Sequence, residues 1–197
     1  MVILFNFFPA GFLGVFYIKI FCMDKNHIQS LIKNYPDFPK PGILFRDITP
    51  VFRDGRSLSF LGDYFYDKFK DEHINHIAGI EARGFILSTI LGLKFNLGVI
   101  MVRKQGKLPG ATITHKYDIE YGNAVMEIQS ESIQKNENIL IADDLLATGG
   151  TAISAAKLIE DLGGKIIGFA FLVELSSLGG RKLLQDKGYP VQSMVIY

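Results

Sequence analysis

The sequence has very little cysteine and almost no net charge. Cys22 is the only cysteine among 197 residues, so no disulfide can form within the chain, and a reducing compartment, the cytoplasm, is expected. The net charge of +1 gives no bulk positive charge of the kind that holds nucleic acid. The four histidines lack the spacing of metal ligands. Disulfide-stapled, nucleic-acid-binding and metal-centred proteins are therefore disfavoured.

Charged residues are also missing from residues 1–18, which are rich in phenylalanine. As a helix this stretch would be ~27 Å long at ~1.5 Å per residue, close to the ~30 Å hydrocarbon thickness of a bilayer. Pro9 and Gly11 interrupt it, and it has neither the basic start nor the cleavage site of a signal peptide. We therefore expect residues 1–22 to be an apolar extension outside the working protein, created by a misplaced start codon ahead of Met23. A membrane anchor is the second interpretation and a signal peptide the third, and residues 23–197 are expected to form one domain.

A P-loop is absent too, since neither Gly-Lys-Thr nor Gly-Lys-Ser occurs in the chain, so an NTPase is disfavoured. A different phosphate site is indicated instead. The apolar residues 139–142 predict a buried strand that ends before Asp143 and Asp144, and residues 152–162 have helical periodicity. The turn between them lies at a helix N-terminus, where unpaired N–H groups and the helix dipole attract anions.

Each residue type in this turn suits a phosphorylated sugar. The hydroxyls of Thr148 and Thr151 can donate hydrogen bonds, and Gly149 and Gly150 let the backbone approach a ligand closely. Two carboxylates beside a phosphate would repel it unless they face something else. Asp143 and Asp144 can instead accept hydrogen bonds from two ribose hydroxyls. Two solvated acids ahead of an ordinary turn are the alternative.

Alternating strands and helices over the rest of the chain predict an α/β fold with a mostly parallel twisted sheet flanked by helices. Three candidate motifs follow strands, after Ile80, Val102 and Ala142, and should meet at one edge of that sheet. Residues 36–42, with three prolines, predict a stiff extended stretch. Residues 103–122 predict a long flexible lid loop, although a solvated basic loop would also fit, and residues 124–129 predict an antiparallel edge strand.

The run of residues 143–151, Asp-Asp-Leu-Leu-Ala-Thr-Gly-Gly-Thr, resembles the phosphoribosyl pyrophosphate signature of the type I phosphoribosyltransferases, in the version of the adenine phosphoribosyltransferases. Three further stretches resemble the same family, namely residues 38–50, residues 81–85, and residues 103–110 together with 119–122. The resemblance extends from about Ile28 to the C-terminus. It is specific because four separate motifs occur in the family's order.

The resemblance implies a role for each motif. It assigns the 5-phosphate to Ala147, Thr148, Gly149, Gly150 and Thr151, and the ribose hydroxyls to Asp143 and Asp144. It assigns the pyrophosphate to Glu81, Ala82 and Arg83, with a cis peptide at Glu81–Ala82, and to the lid residues Arg103, Lys104 and Lys107, of which Lys107 reaches the neighbouring subunit's site. It assigns base recognition to Phe45, Arg46 and Leu145, and proton exchange with the base to a catalytic Glu120 beside Tyr121. Without the resemblance, Phe45 could equally be core, Arg83 a surface ion-pair partner and Glu120 an exposed loop residue.

The activity that the resemblance implies is transfer of the phosphoribosyl group from phosphoribosyl pyrophosphate to adenine, which gives AMP and pyrophosphate. It implies Mg²⁺ bound mainly through the substrate and a homodimer. Two alternatives remain open at this point. One is a transferase for another purine, xanthine or guanine, against which residues 38–50 argue. The other is a purine-sensing transcription regulator, for which the 27 residues before Ile28 are too few and too apolar to supply a DNA-binding domain.

Overall fold

A computed structural model describes residues 23–119 and 122–197. Its helices are α1 Lys25–Leu31, α2 Thr49–Arg53, α3 Gly55–Phe69, α4 Gly84–Phe95, α5 Gly150–Asp161 and α6 Gly180–Gln185, with a 3₁₀ turn at Ser176–Leu178. Its strands are β1 Lys33–Pro36, β2 Leu44–Asp47, β3 His76–Ile80, β4 Gly98–Lys104, β5 Thr112–Ile119, β6 Gly122–Gln129, β7 Asn138–Leu146, β8 Lys165–Glu174 and β9 Val191–Ile196.

Seven strands form the central sheet in the order β5-β6-β4-β3-β7-β8-β9. Neighbouring strands in the part β4-β3-β7-β8-β9 pair in parallel, whereas β6 pairs in antiparallel fashion with both of its neighbours, β4 and β5. The predicted α/β fold with a mostly parallel sheet and flanking helices is therefore confirmed. Strands β1 and β2 form a separate antiparallel pair.

Strand β7 shows how the core is divided between the two faces of the sheet. Because side chains alternate along a strand, Ile139 and Ile141 pack into one cluster with α5, while Leu140 and Ala142 pack into the other with α3 and α4. All four side chains are completely buried. This two-sided burial explains why residues 139–142 form an uninterrupted apolar run.

The predicted long loop at residues 103–122 is wrong. Strand β4 continues to Lys104, and β5 pairs with β6 from Thr112↔Gln129 to Ile119↔Gly122. Among the described residues of this stretch, only 105–111 lie outside the strands. The same pairing makes β6 an interior strand, because Arg103↔Glu127 joins it to β4 on its other side. The predicted edge position therefore belongs to β5. Residues of β5 and β6 form strands because each of these two strands supplies the backbone hydrogen-bond partners of the other.

The stiff extended stretch predicted for residues 36–42 is also wrong. The chain turns back there between β1 and β2, with Asp37 at φ 57° and Gly42 at φ 83°, and the Phe38–Pro39 peptide is cis. The Gly42 N–H donates to Asp37 Oδ1 at 2.7 Å and closes the turn. The prolines therefore shape a hairpin that brings Phe45 back over the sheet.

Within residues 23–119 and 122–197, no helix combines the length and apolarity needed to cross a membrane. The apolar extension predicted for residues 1–22 lies outside the described residues.

Candidate active site

Three loops meet at the carboxyl edge of the sheet, as the order of the motifs predicted. They follow β3, β4 and β7, which are parallel neighbours. Arg83, after β3, pairs with Asp144 on β7 through Nε–Oδ2 at 2.9 Å. Arg103 on β4 pairs with Glu81 through Nε–Oε2 at 2.8 Å. These ion pairs join the three motifs into one cleft.

The two acids do not follow the end of their strand, as the sequence predicted, but lie within it. Pairing of β7 with β3 stops at Gly79↔Ala142, whereas pairing with β8 continues to Leu146↔Glu174. Residues 143–146 are therefore strand residues with β8 on one flank and the cleft on the other. The mismatch in strand length places both carboxylates at the cleft.

Asp143 occupies an enclosed position. Its Oδ1 accepts a hydrogen bond from the Asp144 N–H at 2.8 Å. Burial, together with the neighbouring Asp144 carboxylate, raises the pKa of Asp143 well above its ordinary value. Gly84 lies directly against it, since a Cβ there would be 2.7 Å from Asp143 Oδ1. A larger residue at Gly84 would therefore displace the carboxylate.

The glycine-rich turn has the predicted geometry of a helix N-terminus. Gly149 is the N-cap of α5 with φ 88°, and the Ile153 N–H donates to the Gly149 carbonyl at 2.9 Å. The N–H groups of Gly150 and Ala152 precede that bond, in the first turn of the helix, where backbone donors have no acceptor within the helix. Thr148 is exposed, and Ala147, Gly150 and Thr151 are half-buried. An anion can therefore reach these N–H groups from the cleft.

A glycine outside the predicted motifs supports this turn. The Gly180 N–H donates to the Ala147 carbonyl at 3.1 Å, and a Cβ on Gly180 would lie 2.3 Å from the same oxygen. Arg181 anchors α6 from behind, since its Nε donates to the buried Glu174 at 2.8 Å and its Nη1 to the Val191 carbonyl at 3.0 Å. The start of α6 is thus held in direct contact with the turn.

The two arginines of the cleft are held by acids and backbone. The expected cis peptide is present at Glu81–Ala82. Arg83 and Arg103 form the ion pairs with Asp144 and Glu81 described above, and Arg103 Nη1 also donates to the Lys107 carbonyl at 3.0 Å. The alternative interpretation made Arg83 a partner in a surface ion pair. Arg83 does form an ion pair, but it does so inside the cleft with Asp144. Lys104 and Lys107 are exposed.

An apolar slot opens beside Asp144. Phe45 and Leu145 both line a cavity of about 110 Å³, to which Arg83 and Asp144 also contribute. Phe45 is half-buried rather than part of the core, and its ring packs edge-on against Phe38 with centroids 5.1 Å apart. The slot suits a flat aromatic ligand.

The Arg46 side chain is held by two residues that the sequence did not single out. Its Nη1 donates to Asn34 Oδ1 at 2.5 Å, and its guanidinium carbon lies 3.9 Å from the centre of the Tyr197 ring. These contacts fix β2, the strand that carries Phe45, against the end of the chain.

Glu120 and Tyr121 lie outside the described residues. The catalytic role predicted for Glu120 therefore stays a prediction.

Comparisons with known proteins identify the family of this chain. A family model described as the phosphoribosyl transferase domain matches residues 55–194. A relative from Nitrosopumilus maritimus, an adenine phosphoribosyltransferase, is 49% identical over 171 residues, which cover 87% of this chain and 99% of the relative.

Solved structures give the same answer. The adenine phosphoribosyltransferase of Thermoanaerobacter pseudethanolicus superimposes with a TM-score of 0.84 at 39% identity, covering 88% of this chain and 99% of that one. The enzyme of Saccharomyces cerevisiae, solved with an imino-altritol bisphosphate and adenine, has a TM-score of 0.81 at 37% identity, covering 86% of this chain and 97% of that one. This chain belongs to the adenine phosphoribosyltransferases, a family of pentosyltransferases that act in purine salvage.

Proposed function

We propose that the cleft binds adenine and phosphoribosyl pyrophosphate as the reaction of its family requires. Adenine N9 attacks C1 of the ribose, the bond from C1 to the pyrophosphate oxygen breaks, and the N9 proton leaves. The products are AMP and pyrophosphate. The observation that carries the assignment is the meeting of a helix N-terminus, two buried carboxylates and an apolar slot at one sheet edge.

The phosphoribosyl half of the substrate would bind along β7 and the turn after it. The 5-phosphate accepts from the N–H groups at the start of α5, because a helix N-terminus binds anions, and from the hydroxyls of Thr148 and Thr151. The ribose hydroxyls donate to Asp143 and Asp144. Release of Arg83 from Asp144 would accompany binding, since one carboxylate then exchanges a cation for hydroxyl donors.

The pyrophosphate half would bind between the loops after β3 and β4. Arg83 and Arg103 provide guanidinium groups that hold phosphate oxygens in bidentate fashion. Lys104, the last residue of β4, adds positive charge, and Lys107, in the turn after β4, adds it to the neighbouring subunit's site. The transition state is oxocarbenium-like, with negative charge growing on the leaving group. Stabilising that charge and positioning the reactants are then the main sources of rate.

Adenine would lie in the slot between Phe45 and Leu145, with the backbone at Arg46 reading its edge. Stacking of a base on an aromatic ring contributes ~1–3 kcal/mol. Glu120, with Tyr121 beside it, would exchange the proton of the purine ring as N9 becomes nucleophilic. The yeast relative solved with adenine supports this choice of base.

Mg²⁺ would join the site mainly through the pyrophosphate oxygens of the substrate. It prefers oxygen ligands and retains several waters, and the described residues contain no cluster of three or more His, Cys, Asp or Glu side chains suited to a metal. When bound, the ion neutralises charge on the pyrophosphate. The protein contributes arginines and backbone N–H groups around that oxygen-rich ligand.

We also propose a homodimer, supported by an apolar face on α4 and β4. Leu93 is 80% exposed, and Ile86, Val99 and Met101 are 38–46% exposed. Contiguous exposed apolar side chains favour a protein interface. Lys107 would then complete the partner's site, and Leu93→Asp should shift the mass measured by light scattering from dimer to monomer.

Residues 23–197 are proposed as the working domain, acting in the cytoplasm. A relative aligns over 171 residues, which are 99% of its own length and close to the length of residues 23–197. The lack of cysteine in residues 23–197 supports a reducing location. Mass spectrometry of the native N-terminus tests the boundary directly.

The test of the function is a release assay. Purified protein, as the full chain and as residues 23–197, is mixed with phosphoribosyl pyrophosphate, Mg²⁺ and one base, and pyrophosphate and AMP are measured together. We expect turnover with adenine and at least ~100-fold lower kcat/KM with guanine or xanthine, because a site built on specific hydrogen bonds rejects analogues that leave them unpaired. No turnover with adenine would overturn the proposal.

A further inference from the structure

Glu127 is a buried carboxylate that the reaction as described does not use. It lies on β6, is 3% exposed, and faces Arg103 of β4 in register. The described residues include four buried carboxylates. Asp143 and Asp144 belong to the cleft and Glu174 pairs with Arg181, so Glu127 remains to be explained.

The short hydrogen bonds of Glu127 come from the backbone of the turn that follows β4, and the Thr112 hydroxyl donates to its Oε2 at 3.5 Å. Its Oε1 accepts from the N–H of Lys107 at 2.7 Å and from the N–H of Leu108 at 2.8 Å. Burial alone would raise the pKa of Glu127, but hydrogen bonds from the backbone of Leu108, Lys107 and Gly106 outweigh it and lower that pKa. Glu127 is therefore ionised at neutral pH and holds this turn through charge-assisted hydrogen bonds.

The same turn is held from its other side. Arg103 Nη1 donates to the Lys107 carbonyl at 3.0 Å, and Arg103 Nε donates to Glu81 at 2.8 Å. The peptide groups on both sides of Lys107 are thus fixed, the N–H by Glu127 and the carbonyl by Arg103. The Lys107 side chain is exposed, so its ammonium group is accessible while the backbone on both sides of it is hydrogen-bonded.

We propose that Glu127 is a positioning residue, which fixes the turn at residues 106–108 so that Lys107 can act on the pyrophosphate. Glu127 touches no substrate and acts through Lys107. The inference rests on the proposed function, in which Lys107 contacts the pyrophosphate. The inference adds a reason why the backbone of Lys107 has a defined position, although this residue lies in a connection between two strands.

The first test replaces Glu127 by glutamine in the full chain. Glu127→Gln keeps the volume and one acceptor oxygen but removes the charge that faces several N–H donors. We expect KM for phosphoribosyl pyrophosphate to rise about 10-fold, which corresponds to ~1.4 kcal/mol, and KM for adenine to change by less than about 2-fold. Hydrogen exchange of the peptide covering residues 105–111 should accelerate. Glu72→Gln, which removes the same charge from an exposed turn, should change neither quantity.

The second test asks whether Glu127 acts through Lys107. Lys107→Ala, Glu127→Gln and the double variant form a cycle in which kcat/KM for phosphoribosyl pyrophosphate is measured. We expect Glu127→Gln to have less than about a 2-fold effect once Lys107 is absent, because coupled residues are not additive. Equal effects of Glu127→Gln with and without Lys107 would overturn the inference and indicate a general structural role.

The outcomes also separate this inference from the proposed function. If wild-type protein makes AMP and Lys107→Ala impairs it while Glu127→Gln has wild-type kinetics and exchange, only the inference fails. If Lys107→Ala has wild-type kcat/KM, the proposed role of Lys107 fails, and the positioning role falls with it. Melting temperatures of all variants show whether each is folded when assayed.

Discussion

A single methyl group at Gly180 should disturb phosphate binding from behind the site. In Gly180→Ala the new Cβ would lie 2.3 Å from the Ala147 carbonyl oxygen and 2.8 Å from Leu146 Cδ1, whereas real Cβ atoms keep at least about 3.0 Å from such neighbours. The oxygen belongs to the backbone of the turn that we assign to the 5-phosphate. It must therefore retreat by about 0.7 Å, or α6 must move away.

The magnitude follows from what resists the movement. Arg181 anchors α6 to the buried Glu174, so the turn is the softer partner and should shift. A misplacement of roughly 1 Å can lower a rate by about 100-fold, and forced overpacking typically destabilises a protein by about 1–3 kcal/mol. We expect kcat/KM for phosphoribosyl pyrophosphate to fall about 10- to 100-fold, with KM for adenine changed by less than about 3-fold.

The assay is initial-rate AMP formation at varied phosphoribosyl pyrophosphate, together with thermal melting of the ligand-free protein. Gly55→Ala is the matched control, because Gly55 is also the first residue of its helix and a Cβ there meets nothing within 4 Å. Wild-type kcat/KM in Gly180→Ala would refute the reasoning. A fall of similar size in Gly55→Ala would refute it as well.

Three further outcomes are expected. In steady-state assays, Phe45→Ala should raise KM for adenine about 10-fold or more through lost stacking, and Leu145→Ala should act in the same direction. Neither variant should change KM for phosphoribosyl pyrophosphate by more than about 3-fold. Phe45→Leu should recover part of the affinity that Phe45→Ala loses. In the folded state, burial and the Asp144 carboxylate raise the pKa of Asp143 above its ordinary 3.8, so the folded protein loses stability as pH rises through that raised pKa. Asp143→Asn should therefore raise the melting temperature at about pH 8 and lose this advantage toward about pH 4. A melting-temperature difference between variant and wild type that does not change with pH would contradict the assignment. Chelation of Mg²⁺ should stop turnover and leave the melting temperature of the ligand-free protein unchanged, since the ion binds through the substrate.

Local sequence predicted the turn before α5 because its requirements are local. The apolar run, the small residues of the turn and the residues that end the helix all lie between residues 139 and 164. The structure has a strand, a turn and a helix there in that order. The same holds for the strand end predicted at Ile80, since β3 runs from His76 to Ile80. These elements were readable because neighbours in sequence determine them.

Elements that depend on distant partners were not readable. Strand β5 contains polar residues such as His115 and Lys116 and becomes a strand by pairing with β6. Strand β7 extends past Ala142 because β8 continues beside it. Glu127 is twenty residues from the N–H of Lys107 that it binds, and no sequence pattern links the two.

The separation of the two sheets has an evolutionary consequence. Phe45 belongs to the small β1–β2 sheet. Both cleft aspartates lie on β7 of the seven-stranded sheet, and the phosphate turn directly follows that strand. The hairpin contacts the rest of the molecule through side chains such as Arg46, whose guanidinium group lies on the Tyr197 ring. Under the proposed division of labour, a short hairpin could be exchanged to accept a new base while the sugar-phosphate machinery is inherited unchanged.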